Sequence, residues 1–199
     1  MKRIIMATNN KGKIAELKKY IKGYEILSQM EAGISDLDVD ESGNTFEENA
    51  IIKANSIKNY IKDDSYIIAE DSGICIDALG GYPGVKTKRA AVEELKKDVT
   101  DVERNSFILE KMKDNTNRKV VWQTVIALIE KNGKLTTFLG EIEGKIPDKA
   151  IGENGFGFDP IFYIEDEKKT LAQMSIKEKE KYSARKIAVD KLTKYLSNI

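Results

Sequence analysis

The stretch Ile4-Ile5-Met6-Ala7-Thr8-Asn9-Asn10-Lys11-Gly12-Lys13-Ile14-Ala15-Glu16-Leu17-Lys18-Lys19-Tyr20-Ile21 changes its hydrophobic period partway along. Its first four residues form an unbroken apolar run, the pattern of a short buried strand, whereas Ile14, Leu17 and Ile21 recur at helical spacing. The polar hexapeptide Thr8, Asn9, Asn10, Lys11, Gly12 and Lys13 therefore falls at a strand-to-helix turn. Such a turn offers a hydroxyl, two carboxamides, two lysines and the free N–H groups of a starting helix, all of which attract phosphate. A plain solvated turn accounts for the same residues, and the Gly-x-x-x-x-Gly-Lys-Ser/Thr spacing of a Walker A loop is absent.

Strand and helix patterns alternate along the rest of the chain. Residues 31–43 read as an acidic loop carrying Asp36, Asp38, Asp40 and Glu41. Thr45-Phe46-Glu47-Glu48 is a capping box, and Phe46, Ala50, Ala54, Ile57 and Ile61 fall on one face of the helix it opens. Asn49 and Lys53, four apart, share another face. Tyr66-Ile67-Ile68-Ala69 is a strand that delivers Glu70-Asp71-Ser72-Gly73 at its end, before a further apolar run, Ile74-Cys75-Ile76. Gly80-Gly81-Tyr82-Pro83-Gly84 has turn composition. Thr100 to Glu103 is a second capping box, opening a helix to about Lys113, and residues 120–129 and 136–142 pair as a hairpin around Lys131-Asn132-Gly133-Lys134. Gly152, Gly155 and Gly157 surround Phe156 and Phe158 in a loop shaped for a ligand. Ser175 to Glu178 is a third capping box, and Ala184, Ala188, Leu192 and Leu196 carry a helix to the end. The pattern predicts one α/β domain over residues 1–199, without internal repeats.

Composition restricts the chemistry. Lys and Arg total 33, as do Asp and Glu, so the chain has no net field with which to hold nucleic acid or an anionic membrane. A single cysteine, Cys75, excludes an intramolecular disulfide and points to a reducing compartment, with an inert core thiol as its reading. The apolar run before Thr8, residues 4–7, is short of the ~7 of a signal peptide, and no run approaches the ~18 of a membrane span. A cytoplasmic location is expected. The chain has no histidine, which removes Ser-His-Asp catalysis, His-ligated zinc and histidine bases together. Acid–base and metal chemistry then rests on carboxylates, lysines and hydroxyls, a set that suits Mg²⁺.

Glu70-Asp71 and Asp40-Glu41 are two acidic groups beside elements that carry lysines. Triphosphate cleavage needs a cation to screen oxygens, positive side chains for charge developing on the leaving group, and a base for water. An Asp beside the metal supplies the base where histidine is excluded. Glu70 to Gly73 also reads as an ordinary turn, and the basic cluster Lys177, Lys179, Lys181, Arg185 and Lys186 as a solvated face partly neutralised by Glu178 and Glu180.

Taken in order, six motifs resemble the nonstandard purine nucleoside triphosphate pyrophosphatases, which hydrolyse inosine, deoxyinosine and xanthosine triphosphates. They are Ala7 to Lys13; Thr45 to Ala50 with Lys53-Ala54; Ala69 to Gly73; Leu79-Gly80-Gly81 with Pro83-Gly84; Gly155 to Pro160; and Ser183-Ala184-Arg185. The resemblance implies a cytosolic homodimer with a long central mixed β-sheet flanked by helices in two lobes and a nucleotide cleft between them, using Mg²⁺. It implies that Thr8, Asn9, Asn10, Lys11, Gly12, Lys13 and Lys53 hold the triphosphate, and that Asp71 is the general base and a metal ligand. Asp40, with Glu41 second, would be the other metal acid. Ser72 would touch substrate, Phe156, Gly157, Phe158 and Asp159 would enclose the purine, and Lys179 and Arg185 would reach the nucleotide. Ala184 stands where the family usually has histidine, which removes a contact near the 6-oxo group. Lys86-Thr87-Lys88-Arg89 replaces a Tyr-Ser-Ala-Arg run, leaving Arg89 as its aligned cation. A non-hydrolytic nucleotide sensor, or a pyrophosphatase for other nucleotides, remains as an alternative.

Overall fold

A computed structural model describes residues 2–35, 37 and 39–199; Asp36 and Asp38 of the acidic loop lie outside the described residues. The elements run β1 (Lys2–Met6), α1 (Lys11–Tyr20), β2 (Tyr24–Ser28), α2 (Phe46–Lys58), β3 (Tyr66–Ile76), α3 (Ala90–Leu95), α4 (Asp101–Lys111), β4 (Lys119–Ile129), β5 (Leu135–Lys145), β6 (Tyr163–Ile164), β7 (Lys169–Thr170), α5 (Ile176–Lys179) and α6 (Ala184–Leu196). Among the described residues seven strands form one sheet in the order β2-β1-β3-β4-β5-β6-β7. β1 lies parallel to β2 and β3, while β6 lies antiparallel to β5 and β7, so the sheet is mixed, as expected.

The chain divides into two compact units. The first comprises residues 1–72, 124–140 and 185–199. Its core joins Ile4 and Met6 of β1, Ile14 and Leu17 of α1, Ile26 of β2, Ile68 of β3, Ile126 and Leu128 of β4 and Ala188, Leu192 and Leu196 of α6. The helical period read at Ile14, Leu17 and Ile21 is thus the buried face of α1. α2 buries Phe46, Ala50, Ala54 and Ile57, and its start carries the full Thr45–Glu48 capping box. The helix stops at Lys58, so Ile61 lies beyond it. The second unit comprises residues 73–123 and 141–184. It buries Ile74, Ile76, Ile108, Met112, Ile161 and Phe162, with the Trp122 and Phe162 rings 5.6 Å apart.

Two further boundaries differ from the sequence reading. β3 does not end at Ala69 but runs to Ile76, so Glu70, Asp71 and Ser72 lie inside a strand. The helix opened at Ser175 stops at Lys179, and α6 begins afresh at Ala184. Ser183, of a residue type favoured at helix starts, precedes the second helix.

Candidate active site

Because successive strand side chains point to opposite faces, β3 sends its adjacent acids in different directions. Glu70 shares a face with Ile68 and meets α1 and α6. Arg185 grips it through two parallel bonds, Nε to Oε2 and Nη2 to Oε1, each 2.8 Å. Lys13 stands 3.2 Å from Oε1, and the third Arg185 nitrogen, Nη1, pairs with Glu16 at 2.7 Å. Burial acts to raise the Glu70 pKa, but Lys13 and Arg185 outweigh it and hold the carboxyl at about 2.

Asp71 turns to the other face, toward α2. Its Oδ1 accepts a 2.6 Å bond from Lys53 Nζ, which also lies 3.5 Å from Glu41. Its Oδ2 is buried and has no hydrogen-bond partner. Burial raises the pKa of Asp71 and Glu41 adds to the rise, against lowering by Lys53 and, less, by Asn49. Asn49, one turn before Lys53, is fully buried, and its Oδ1 accepts the Gly43 N–H at 2.8 Å. Its Nδ2 is near enough to favour the Asp71 anion, yet makes no hydrogen bond of ordinary geometry. A side chain on Gly43 would come within 2.7 Å of Asn49 Oδ1, so the acidic loop is seated tightly on this carboxamide. The structure therefore brings Glu41 to the Lys53–Asp71 pair, and leaves Asp40 exposed.

Residues 8–13 form the expected turn, with the helix starting earlier than its last residue. Asn10 is the N-cap, its Oδ1 accepting from the Gly12 and Lys13 N–H groups at 2.9 and 3.2 Å. Asn10 N–H in turn donates to Thr8 Oγ1 at 3.2 Å, and Asn9 Oδ1 accepts from Met30 N–H at 3.3 Å. Lys11 and Gly12 are exposed in the first turn. Lys13 and Lys53 do not converge on one carboxylate: each serves its own acid of β3.

In the second unit Asp159, buried, accepts from Lys179 Nζ at 2.5 Å and from Phe156 N–H at 2.9 Å. Phe158 is buried too, whereas Phe156 is 70% exposed with Lys179 5.8 Å from its ring centre, so Phe156 alone of the two presents its ring outward. Arg89 precedes α3 and lies 3.4 Å from Glu93; Ala184 is buried, and Ser72 is half-buried in β3. Tyr82 donates to Glu94 at 2.7 Å. Cys75 is half-buried, and burial, then Glu141, push its thiol pKa up, away from the reactive thiolate.

A mixed sheet with helices on it, a buried strand carboxylate paired with a helix lysine, and an amide- and lysine-bearing turn define an α/β protein with a carboxylate–lysine site. The chain belongs to the Ham1 family, whose model matches residues 4–195. It is 41% identical over 198 residues to a protein of Thermoanaerobacter pseudethanolicus named dITP/XTP pyrophosphatase, covering 98% of this chain and 96% of that one. A Staphylococcus aureus protein of the same name is 38% identical over 197 residues, covering 99% and 97%. The solved structure of the Staphylococcus aureus Ham1 protein matches with a TM-score of 0.90 at 35% identity, covering 99% of each chain. A HAM1 protein from Coxiella burnetii matches with a TM-score of 0.90 at 34% identity over 100% of each chain. The family resemblance carried by the six motifs is borne out.

Sequence reasoning set Asn49 beside Lys53 on one helix face without giving it a role in the site, and did not name Glu16. The signal for Asn49 was its place one turn before Lys53, and the structure adds that it is buried. For Glu16 no local signal exists, because its partner Arg185 is brought by α6.

Proposed function

We propose that this chain hydrolyses nonstandard purine nucleoside triphosphates, the ITP, dITP and XTP class, to the monophosphate and pyrophosphate, clearing deaminated precursors from the nucleotide pool. The observation that carries the reading is Asp71, a buried carboxylate 2.6 Å from Lys53 with its second oxygen unpartnered, in a Ham1-family chain. Relatives 41% and 38% identical bear the name dITP/XTP pyrophosphatase.

Magnesium fits the residues present. Asp71 Oδ2 is a buried acceptor with no partner, and Glu41 adjoins the same lysine. An ion held by one or two carboxylates would complete its shell with phosphate and water oxygens. When bound, Mg²⁺ screens the phosphate oxygens and favours charge build-up on the leaving group.

The chain's own residues do the rest. Asp71 takes the proton from a water that attacks the α-phosphorus; the new P–O bond forms as the α–β anhydride bond breaks and pyrophosphate leaves. Burial, with a smaller contribution from Glu41, raises the Asp71 pKa against the pull of Lys53. Lys53 keeps Asp71 ionised and offers charge to the triphosphate. Thr8, Asn9, Asn10, Lys11, Gly12 and Lys13 supply amide, hydroxyl and lysine donors to phosphate. Phe156 stacks on the base, Gly157 to Asp159 and Lys179 border it, and Ser72, Arg89 and Arg185 complete the substrate contacts. Residues 1–199 act as one domain of a cytosolic homodimer, and the balance of 33 positive and 33 negative side chains supports a small-molecule substrate rather than nucleic acid or membrane.

A panel of ITP, dITP, XTP, dATP and dGTP, incubated with protein and Mg²⁺ in ¹⁸O-water, tests the reading. Pyrophosphate should appear from the first three, with the label in the monophosphate. No pyrophosphate from any of them would leave a nucleotide sensor, equal turnover of dATP would leave a pyrophosphatase for other nucleotides, and label in pyrophosphate would contradict attack at the α-phosphorus.

A further inference from the structure

α4 has no part in the reaction described above, yet it is bonded to the centre of the aromatic loop. Its start is fixed by the Thr100–Glu103 capping box, which leaves Asp101 at the first helical position and Asn105 one turn later on the same face. Asp101 Oδ2 accepts the Gly157 N–H at 2.8 Å, and Asn105 Nδ2 donates to the Gly157 carbonyl at 2.9 Å. Both polar groups of one residue are thus held by one helix face. Asn105 is buried, and its Oδ1 has no hydrogen-bond partner, so the fold accepts an unmet acceptor to keep the Gly157 bond.

The geometry of the loop shows what the grip maintains. Gly157 has φ +62°, in the left-handed region, where side chains are strained, although a Cβ there would meet nothing within 4 Å. Two residues earlier, a Cβ on Gly155 would lie 2.0 Å from Asp159 Oδ2 and 2.5 Å from Lys179 Nζ. The loop is therefore packed at Gly155, open at Gly157 and held at Gly157 through its backbone bonds to α4.

We propose that Asp101 and Asn105 are positioning residues for base discrimination, acting by fixing the Gly157 peptide groups and with them the outward Phe156 ring. The proposal rests on the function assigned above. A 6-oxo purine presents an acceptor beside an N1–H donor, and adenine presents the reverse, so a pocket wall tells them apart only if it cannot shift to suit either. Ala184 offers no polar group to share that task.

The test is kcat and KM for dITP and dATP in the wild type and in Asp101→Ala, Asp101→Asn and Asn105→Leu, with melting temperatures alongside. Asp101→Ala and Asn105→Leu should lower the dITP-to-dATP ratio of kcat/KM by about tenfold or more, mainly through KM for dITP. Asp101→Asn retains an acceptor for the Gly157 N–H and should keep the ratio within about twofold of the wild type. Asp101 is half-exposed, so its pair of variants decides the matter even if Asn105→Leu fails to fold. An unchanged ratio in Asp101→Ala, or an equal loss in Asp101→Asn, overturns the proposal alone. A wild type that releases no pyrophosphate from dITP overturns the assigned function and the proposal together.

Discussion

Glu70 and Asp71 are neighbours in sequence and share no partner: one meets Lys13 and Arg185, the other Lys53. Their titrations move in opposite directions. The Glu70 carboxyl falls from 4.5 to about 2, so it contributes stability above its unfolded pKa that is lost as pH drops through its folded one. The shift corresponds to about 3 kcal/mol. Denaturant unfolding at a series of pH values should show a shallower loss of stability between about pH 5 and pH 2 in Glu70→Gln than in the wild type. At neutral pH the same variant should lose about 3–5 kcal/mol, because Arg185 and Lys13 keep buried charge without its counter-charge. Parallel pH curves for the two proteins would show that Glu70 is not the acid-labile group. Asp71 is raised instead, chiefly by burial, so its ionisation works against folding at neutral pH, as the base proposed for it would require.

At the scale of elements, α2 illustrates how local signals set a frame for chemistry. Thr45 and Glu48 fix where the helix starts, and that start sets the turn on which Asn49 and Lys53 face β3. Thr45→Ala should lower stability by about 1 kcal/mol in denaturant melts; no change would mean the cap is redundant. Leu192→Ala, in the fully buried face of α6, should cost about 2–5 kcal/mol by the same measurement. The β1–turn–α1 unit, the α2 face and the β4–β5 hairpin were legible because each is written in local periodicity and capping. The course of β3 through Glu70 and Asp71 was not. Acids in that position read as a turn, and the cations that make their burial tolerable come from α1, α2 and α6, with Arg185 115 residues from Glu70. The break before Ala184 was likewise hidden, because Lys177-Glu178-Lys179-Glu180-Lys181 contains no apolar residue whose spacing could mark a change of element.

For the molecule as a whole, the fold class was legible in the alternation of strand and helix patterns, and the family in six motifs that individually admit bland readings. The composition narrowed the chemistry before any contact was known, since a chain without histidine must draw its base from carboxylates, lysines or hydroxyls. What the sequence left open was partnership: that Lys13 serves Glu70 while Lys53 serves Asp71, that Glu41 rather than Asp40 adjoins the latter pair, and that Phe156 turns outward while Phe158 turns in. Those are set by which faces the sheet buries. The account stands on Asp71 as the group that takes a proton from water. Pyrophosphate release from dITP with saturating Mg²⁺, compared between the wild type and Asp71→Asn, tests it most directly. The account predicts a fall of at least about 10²-fold in kcat with the melting temperature maintained; a variant with wild-type turnover would contradict it.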